Sequence, residues 1–369
     1  MFKKLTTSFL WLSSLPICMY TLITYLLSYT LIIEHWSAGF IMMSMPIAIF
    51  TCFFIAVMWL FIRPSRAILP CIVLIIGYPF IQRTITFHDK NAPSKGDISV
   101  LNFNLYGLHA GMWEEKGILK LTNDCIDFIS NYDADIECFQ EFYNSQYIKG
   151  FQTIRMMKKS HPYAAIAQRH GADANEGVIG VAIFSRYPII YKEYKKFEQA
   201  NNGYLVADIK IKDDTIRVIN MQLWSMGIRV GRVVGQMKDN DYTDAKREGR
   251  GIIASLKKGF ERHRDEIASI SRVINNSPYP VILCGDFNET PYGLAYGTVR
   301  DRLKNSFEEA GKGFGFTLNR SPKWVRIDNQ FFSKELDITS FKTHSEIPYS
   351  DHYPIFSSYK LKNKRQPSM

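Results

Sequence analysis

Hydrophobic and polar positions divide the chain into two regimes. From the amino terminus to about Phe87 the residues are mostly apolar and aromatic, in three runs: Phe9 to Ile33, Phe40 to Ile62 and Ala67 to Ile81. The first two exceed the ~20 residues that a helix needs to cross the ~30 Å hydrocarbon core of a bilayer. The third is shorter and carries Pro70 and Pro79, so it predicts a third crossing continued toward Phe87, or else a re-entrant piece. The first run is too long for the ~7–15-residue apolar stretch of a cleaved signal peptide, and no small-residue cleavage site follows it. Residues 1–87 therefore read as a transmembrane region of two to three helices.

After Phe87 the pattern becomes that of a soluble domain. "DKNAPSKGD", Asp89 to Asp97, is polar with Pro and Gly, and residues 88–97 read as a linker. "ISVLNFNLYG", Ile98 to Gly107, alternates as a strand. "GILKLTNDCIDFISNYDADIECFQEF" then places a helical period before a second strand ending at Gln140-Glu141. Further strand-like runs follow in "GVIGVAIFSRYPII", "YLVADIKIKDDTIRVINMQLWS" and "PVILCGDFNET", with a basic helical stretch from about Arg247 to Ile274. "IKIKDDTIRVIN" predicts an antiparallel hairpin turning around Asp213-Asp214. Strands outnumber helices, which argues for layered sheets with helices outside rather than a doubly wound Rossmann sheet. The domain is expected over residues 98–363, with a polar tail at 364–369, and there is no internal repeat or low-complexity tract.

Composition changes this picture little. A chain of 369 residues with 46% hydrophobic content is not mainly disordered. Its net charge of +10 splits into +4 up to His88, where five basic residues stand against Glu34, and +6 beyond. A mildly basic domain suits an anionic substrate without specifying one. Lys3 and Lys4 precede the first apolar run and Arg63 and Arg66 follow the second, while the Glu34-His35-Trp36 turn has no Lys or Arg. The positive-inside rule then puts the amino terminus and the Arg loop in the cytoplasm, and three crossings put the domain outside it, in the periplasm if the cell is bacterial; with only two crossings the domain is cytoplasmic instead. Of six cysteines only Cys125, Cys138 and Cys284 belong to the domain, an odd count that predicts buried free thiols; no C-x-x-C suggests a structural zinc site.

The chemistry-bearing residues sit where apolar runs end: Asn104, Gln140-Glu141, Asp286 and Asn288, Asp328, and Ser350-Asp351-His352. In layered sheets such ends converge on one rim, giving oxygen donors with a single histidine. Oxygen-rich clusters select hard cations such as Mg²⁺ or Mn²⁺. Two positions apart on an extended strand end, Asp286 and Asn288 point the same way, one able to address a water and the other a phosphate oxygen.

These segments resemble the endonuclease/exonuclease/phosphatase superfamily, the deoxyribonuclease I-like group that includes nucleases, neutral sphingomyelinases and inositol polyphosphate phosphatases. "VLNFNLYG", "DIECFQEF", "GVAIFSRYPI", "VILCGDFNETP", "RIDNQFFS" and "SDHYPI" occur in the family's order, within Ile98 to Tyr359. The chain looks like a membrane-anchored bacterial-type member. The resemblance implies an α+β fold, a four-layer α/β sandwich of two packed mixed β-sheets flanked by helices. It also implies a Mg²⁺- or Mn²⁺-dependent phosphoesterase. Glu141 matches the principal metal ligand, Asn104 the asparagine near metal and phosphate, and Asp351 a metal-associated or orienting carboxylate. Asp286 matches the residue that orients or deprotonates the attacking water, and Asn288 the amide that holds phosphate oxygens. His352 matches the essential histidine and Asp328 the carboxylate that fixes its tautomer.

Two positions depart from the family pattern. Gln222, in "INMQLWS", stands where many members carry a second histidine; it can donate a hydrogen bond to phosphate but cannot deliver a proton. Asn329 follows Asp328 where an aromatic residue or His is usual. Outside the matched segments, His109 and His170 are loop histidines that either touch substrate or face solvent. Arg186 has a family counterpart but equally suits a structural role. The insertion from Trp224 to Lys246 reads as a substrate- or membrane-facing loop or a solvated one, and "SLKKGFERHR", Ser255 to Arg264, as a helix that packs one face and solvates its charges.

The resulting expectation is a multi-pass membrane phosphoesterase acting on nucleic acid, a lipid head group or a small phosphoester, with no protein partner. The alternative is a non-catalytic phospholigand-binding protein on the same scaffold, for which Gln222 is the main support.

Overall fold

The computed structural model describes residues 2–31, 35–88, 96–112, 114–167, 176–198, 202–228, 237 and 242–362. The apolar region forms helices α1 (Phe2–Thr30), α2 (Trp36–Met43), α3 (Met45–Ile62), α4 (Pro64–Ile76) and α5 (Tyr78–Thr84). Two helical stretches, Thr6–Thr30 and Met45–Ile62, are long and apolar enough to cross a membrane, and α4 with α5 makes a third candidate bent by 64°. The second apolar run is not one helix, as the sequence suggested, because it breaks at Ser44. There the Ser44 hydroxyl donates to the Ile41 carbonyl at 2.7 Å and Pro46 lies in the first turn of α3, a position that needs no amide hydrogen. The bend in the third run falls at Gly77, just ahead of Pro79, against the Tyr25 ring. Phe9, Leu12, Phe61 and Ile75 point outward and are largely exposed. Large apolar side chains turned outward in this way suit hydrocarbon, not water.

The domain's strands are β1 (Thr86–Phe87), β2 (Ile98–Asn104), β3 (Ile136–Ser145), β4 (Tyr163–Ile166), β5 (Glu176–Ser185), β6 (Ile189–Lys196), β7 (Gly203–Ile211), β8 (Asp214–Gln222), β9 (Val281–Asp286), β10 (Lys304–Asn305), β11 (Lys312–Gly313), β12 (Asp328–Phe332), β13 (Leu336–Thr343) and β14 (Ile355–Leu361). Its helices are α6 (Ile118–Asn131), α7 (Thr153–Met157), α8 (Tyr242–Asn275), α9 (Leu294–Arg300) and α10 (Ser306–Ala310). One six-stranded sheet runs β13-β14-β2-β3-β5-β4 and the other β10-β12-β9-β8-β7-β6. Both are mixed, with β2 parallel to β3 and β8 parallel to β9.

Alternation along each strand builds the layers. Val100, Cys138 and Ile183 of the first sheet meet Ala207, Val218 and Cys284 of the second in one buried core. The outward-facing partners Phe103 and Phe139 carry Ile126 and Ile129 of α6, while Ile219, Leu283 and Phe331 carry Ile267 and Ile270 of α8 and Val299 of α9. This is the four-layer sandwich expected. The hairpin of β7 and β8 pairs Ile211 with Asp214, so its turn is Lys212-Asp213, one residue earlier than read from the sequence. The basic helix is longer than expected, beginning at Tyr242 inside the predicted insertion; residues 229–236 and 238–241 of that insertion lie outside the described residues. Cys125, Cys138 and Cys284 are buried free thiols, as expected.

The apolar helices dock directly on the sandwich. The Ser28 hydroxyl donates to the Tyr292 carbonyl at 2.8 Å, Thr84 and the Tyr292 phenol share a hydrogen bond of 2.7 Å, and Arg83 donates to the Pro291 carbonyl at 3.2 Å. Arg326 of the domain donates in turn to the Arg83 carbonyl at 2.6 Å, and β1 pairs with β11. His88, the first residue of the expected linker, is held by Gly311 and Glu308; residues 89–95 lie outside the described residues. The end of α1, the start of α3 and the end of α5 thus gather at the domain. At the opposite end Arg66 reaches the Thr7 carbonyl.

Candidate active site

The ends of the parallel pairs β2/β3 and β8/β9 and the start of β12 share one rim. Register brings the chemistry together there: Gln222 pairs with Asp286 across β8/β9, and Asp286 with Asp328 across β9/β12. Asn104 ends β2 and donates its amide to Asp286 at 3.0 Å and to Glu141 at 3.4 Å. Gln222 donates to the same Glu141 oxygen at 2.7 Å.

Glu141 reaches the rim through a β-bulge. Phe139 and Phe142 both lie in the outer core although they are three positions apart, which simple alternation forbids. The pairing with β5 slips by one residue between them, and Glu141 takes a φ of 49°. The extra residue sets Gln140 and Glu141 together on the inner side, a use of bulges common beside functional sites. β3 consequently continues to Ser145 instead of ending at Glu141, as the sequence had suggested.

Asn288 also has a positive φ, 48°, which folds the chain back so that its amide donates to Asp286 at 3.0 Å and to the Leu223 carbonyl at 3.1 Å. Its backbone amide donates to the other Asp286 oxygen at 2.8 Å. His352 contacts Asp328 through Nδ1 at 2.8 Å, and its Nε2 lies 3.8 Å from Asp351, which pairs with Arg320 at 3.3 Å. Thr317 accepts from the Asp328 backbone amide, and Ser350 ties the Asn104 carbonyl to the His352 backbone. Asp286, Asp328 and His352 are buried, with their ligating atoms within 4.8 Å of one another.

Burial, and then the facing Asp328 carboxylate, push Asp286 up to about 7, against the lowering pull of His352. Burial opposes charge on His352, but contact with Asp328, with Asp286 and Asp351 nearby, outweighs it and raises the imidazole to about 10. The rim therefore holds an imidazolium beside a carboxyl group able to exchange protons near neutral pH.

A profile of the Endonuclease/Exonuclease/phosphatase family matches residues 101–352. The chain belongs to the endonuclease/exonuclease/phosphatase family. Residues 7–84 match a second profile, a domain of unknown function (DUF8431). Among solved structures, the family member from Bacteroides vulgatus covers 73% of this chain and 100% of its own at 16% identity, with a TM-score of 0.51. The human Nocturnin catalytic domain with bound sulfate covers 74% of this chain and 97% of its own at 16% identity, TM-score 0.50. D. rerio TDP2, humanized by 14 mutations, covers 72% and 99% at 14% identity, TM-score 0.50. At these identities the likeness establishes the fold alone. No curated protein matches the chain.

Every family position expected to carry chemistry falls in one connected network, running from Glu141 through Asn104 and Asp286 to His352, Asp328 and Asp351. The Asn288 amide, expected to hold phosphate oxygens, lies on this rim and donates to Asp286 and to the Leu223 carbonyl. Asn329 faces away from the rim, where its carbonyl oxygen accepts from Asn305 and Arg326. His109 Nε2 meets the Tyr349 carbonyl at 3.1 Å, Arg186 pairs with exposed Asp133, and His170 lies outside the described residues.

Sequence reasoning missed a buried polar layer beneath the rim. Gln140 donates to Asn102 at 2.7 Å and to Asn220 at 2.6 Å between the sheets. The signal was present, because Asn102 and Asn220 precede Asn104 and Gln222 by two residues, and so share their inward face. Also missed was the buried pair of His263 and Glu289, 2.8 Å apart behind Asn288.

The residues present fit a hard cation. Among the described residues no basic side chain pairs with half-buried Glu141, whose Oε1 receives only carboxamide donors, and Asp328 Oδ1 is buried without a partner. An oxygen-rich rim with carboxylates in excess over cations is the donor set such an ion requires. Asp351 pairs with Arg320 and lies 3.8 Å from His352 Nε2.

Proposed function

We propose that the chain is a membrane-anchored, divalent-metal-dependent phosphoesterase that cleaves a phosphodiester or phosphomonoester by attack of water. The observation that carries the reading is the single rim shared by Glu141, Asn104, Asp286 and the His352–Asp328 pair. Glu141 and Asn104 would hold Mg²⁺ or Mn²⁺. When bound, such a cation neutralises charge on the phosphoryl oxygens.

Asp286, held by Asn104 and Asn288, orients the water and takes one of its protons as the oxygen bonds to phosphorus. The P–O bond to the leaving alcohol breaks, and that oxygen takes a proton from solvent water while the proton held by Asp286 returns to solvent. His352, kept cationic by Asp328, donates to a phosphoryl oxygen, so of the base and clamp roles open to it the charge favours the clamp. Gln222 holds Glu141 and has no proton to give.

The helical region supports a multi-pass membrane protein. The domain sits at the end of the helices opposite Arg63 and Arg66, which by the positive-inside rule favours an extracytoplasmic site. The test is hydrolysis of bis(p-nitrophenyl) phosphate by the full chain in nanodiscs with Mg²⁺. Asp286→Asn should lower the rate at least 10²-fold. Equal rates in the two proteins would favour a binding-only protein instead.

A further inference from the structure

We infer that the substrate is a membrane phospholipid whose acyl chains enter an apolar cavity between the membrane helices and the catalytic rim. The inference rests on the phosphoesterase reading above and names the substrate for that site. The cavity encloses about 1020 Å³ and its lining is predominantly apolar. That is the upper end of the ~300–1,000 Å³ typical of ligand sites.

One wall is made by the start of α3, with Ile47 and Phe50, and the facing wall by Leu256 and Phe260 of α8. The inner end is Asn288, Leu318 and Ile327. Asn288 donates to Asp286, Leu318 is bridged to His352, and Ile327 directly precedes Asp328, so the inner lining of the cavity adjoins the catalytic rim. Ile47 and Phe50 are 72% and 64% exposed, so this wall lies open to hydrocarbon. Trp324 and Phe314, 74% and 48% exposed, flank the opening on the domain side, as aromatic rings do at head-group depth.

A lipid suits every part of this arrangement: chains in the apolar space, phosphate at the rim, and lateral entry from the bilayer. Nucleic acid suits it poorly. The bordering cations Arg83 and Arg326 are buried and engaged with Pro291, Asn329 and the Arg83 carbonyl instead of forming a phosphate-binding row. Because the chains move from one apolar surrounding to another, the cavity contributes orientation of the phosphate more than affinity.

The test uses the full chain in mixed micelles with Mg²⁺ and four substrates: dioleoyl phosphatidylglycerol, its deacylated glycerophosphoglycerol, a single-stranded oligonucleotide, and bis(p-nitrophenyl) phosphate. Hydrolysis of the lipid adds water across one P–O bond, giving a phosphomonoester and an alcohol. We expect kcat/KM for the lipid to exceed that for its deacylated form by at least 10²-fold. Ile252→Trp, which fills the cavity from α8, should lower the lipid rate at least 10-fold while the rate on bis(p-nitrophenyl) phosphate stays within twofold. Met43→Trp, from the opposite wall, serves if the first variant does not fold. Cleavage of the small ester without preference for the lipid, preference for the oligonucleotide, or an equal loss on all substrates would overturn the lipid inference and leave the phosphoesterase reading standing. No cleavage of any ester would remove both.

Discussion

Replacing Asp328 by asparagine keeps the shape of the His352 partner and removes its charge. The pair is buried, 2.8 Å apart, and the carboxylate holds the imidazole at about 10. Relative to an ordinary histidine near ~6.5 that is roughly 3 units, at ~1.4 kcal/mol each about 4–5 kcal/mol in favour of the charged ring. The figure agrees with the ~3–5 kcal/mol lost when one member of a buried ion pair is removed. Without the carboxylate, burial leaves the ring neutral at pH 7, and the phosphate clamp loses its charge. The rate should fall about 10²–10³-fold, the usual loss when one preorganised electrostatic donor is removed. The stability effect has a defined sign. Because the folded-state value is raised, the stabilisation is complete below pH ~6.5 and disappears as pH rises through about 10. The melting temperature of Asp328→Asn should therefore lie well below wild type at pH 6 and approach it above pH 10. Hydrolysis of bis(p-nitrophenyl) phosphate and thermal unfolding of the full chain in detergent read both effects. A rate within threefold of wild type, or a melting difference that does not change with pH, would refute the reasoning.

Other outcomes follow from single contacts. Gln222→Ala removes the 2.7 Å donor to Glu141 and should raise the Mg²⁺ concentration for half-maximal rate about 10–100-fold, as loss of an orienting partner typically does; an unchanged Mg²⁺ titration would show that Glu141 does not need it. Arg83→Ala removes a buried cation that donates to Pro291 and lies 4.6 Å over Phe80. A charged hydrogen bond of ~1.5–3 kcal/mol plus a cation–π contact of ~1–2, less the relief of desolvation, gives about 3 kcal/mol, or roughly 4 °C in a chain of this length; a shift under 1 °C would mean the helices are not anchored there. Burial opposes charge on His263, yet Glu289 in contact and Glu266 nearby hold it above its ordinary value. The pair's stabilisation is complete below pH ~6.5 and declines at higher pH, so Glu289→Gln should lower the melting temperature more at pH 6 than at pH 9; the opposite order would contradict it.

Much of the rim was legible because strand ends reveal themselves: Asn104, Asp286 and Asp328 are polar residues closing or opening apolar runs, and the alternation that buries Val100 and Cys284 fixes which way they point. The Glu141 bulge was not legible. Nothing in "ECFQEF" distinguishes a regular strand from one with an extra residue; only the shared outer core of Phe139 and Phe142 does. His263 was legible in retrospect, four residues before Ile267 on the apolar face of α8, but the surrounding lysines and arginines gave the stretch the look of a solvated one. The cavity had no local signal at all, because its walls come from Ile47, Leu256 and Leu318, distant in sequence and joined only when the apolar helices dock.

The most direct measurement of the central claim is the Mg²⁺ dependence of phosphodiester hydrolysis by the full chain, wild type against Glu141→Gln. The substitution keeps the size of the side chain and removes the charge that no cationic side chain balances among the described residues. The wild type should show saturable Mg²⁺-dependent hydrolysis, abolished by chelation, and Glu141→Gln a loss of at least 10²-fold with a raised Mg²⁺ requirement. Hydrolysis at equal rates in both proteins, or at a rate indifferent to chelation, would contradict the claim.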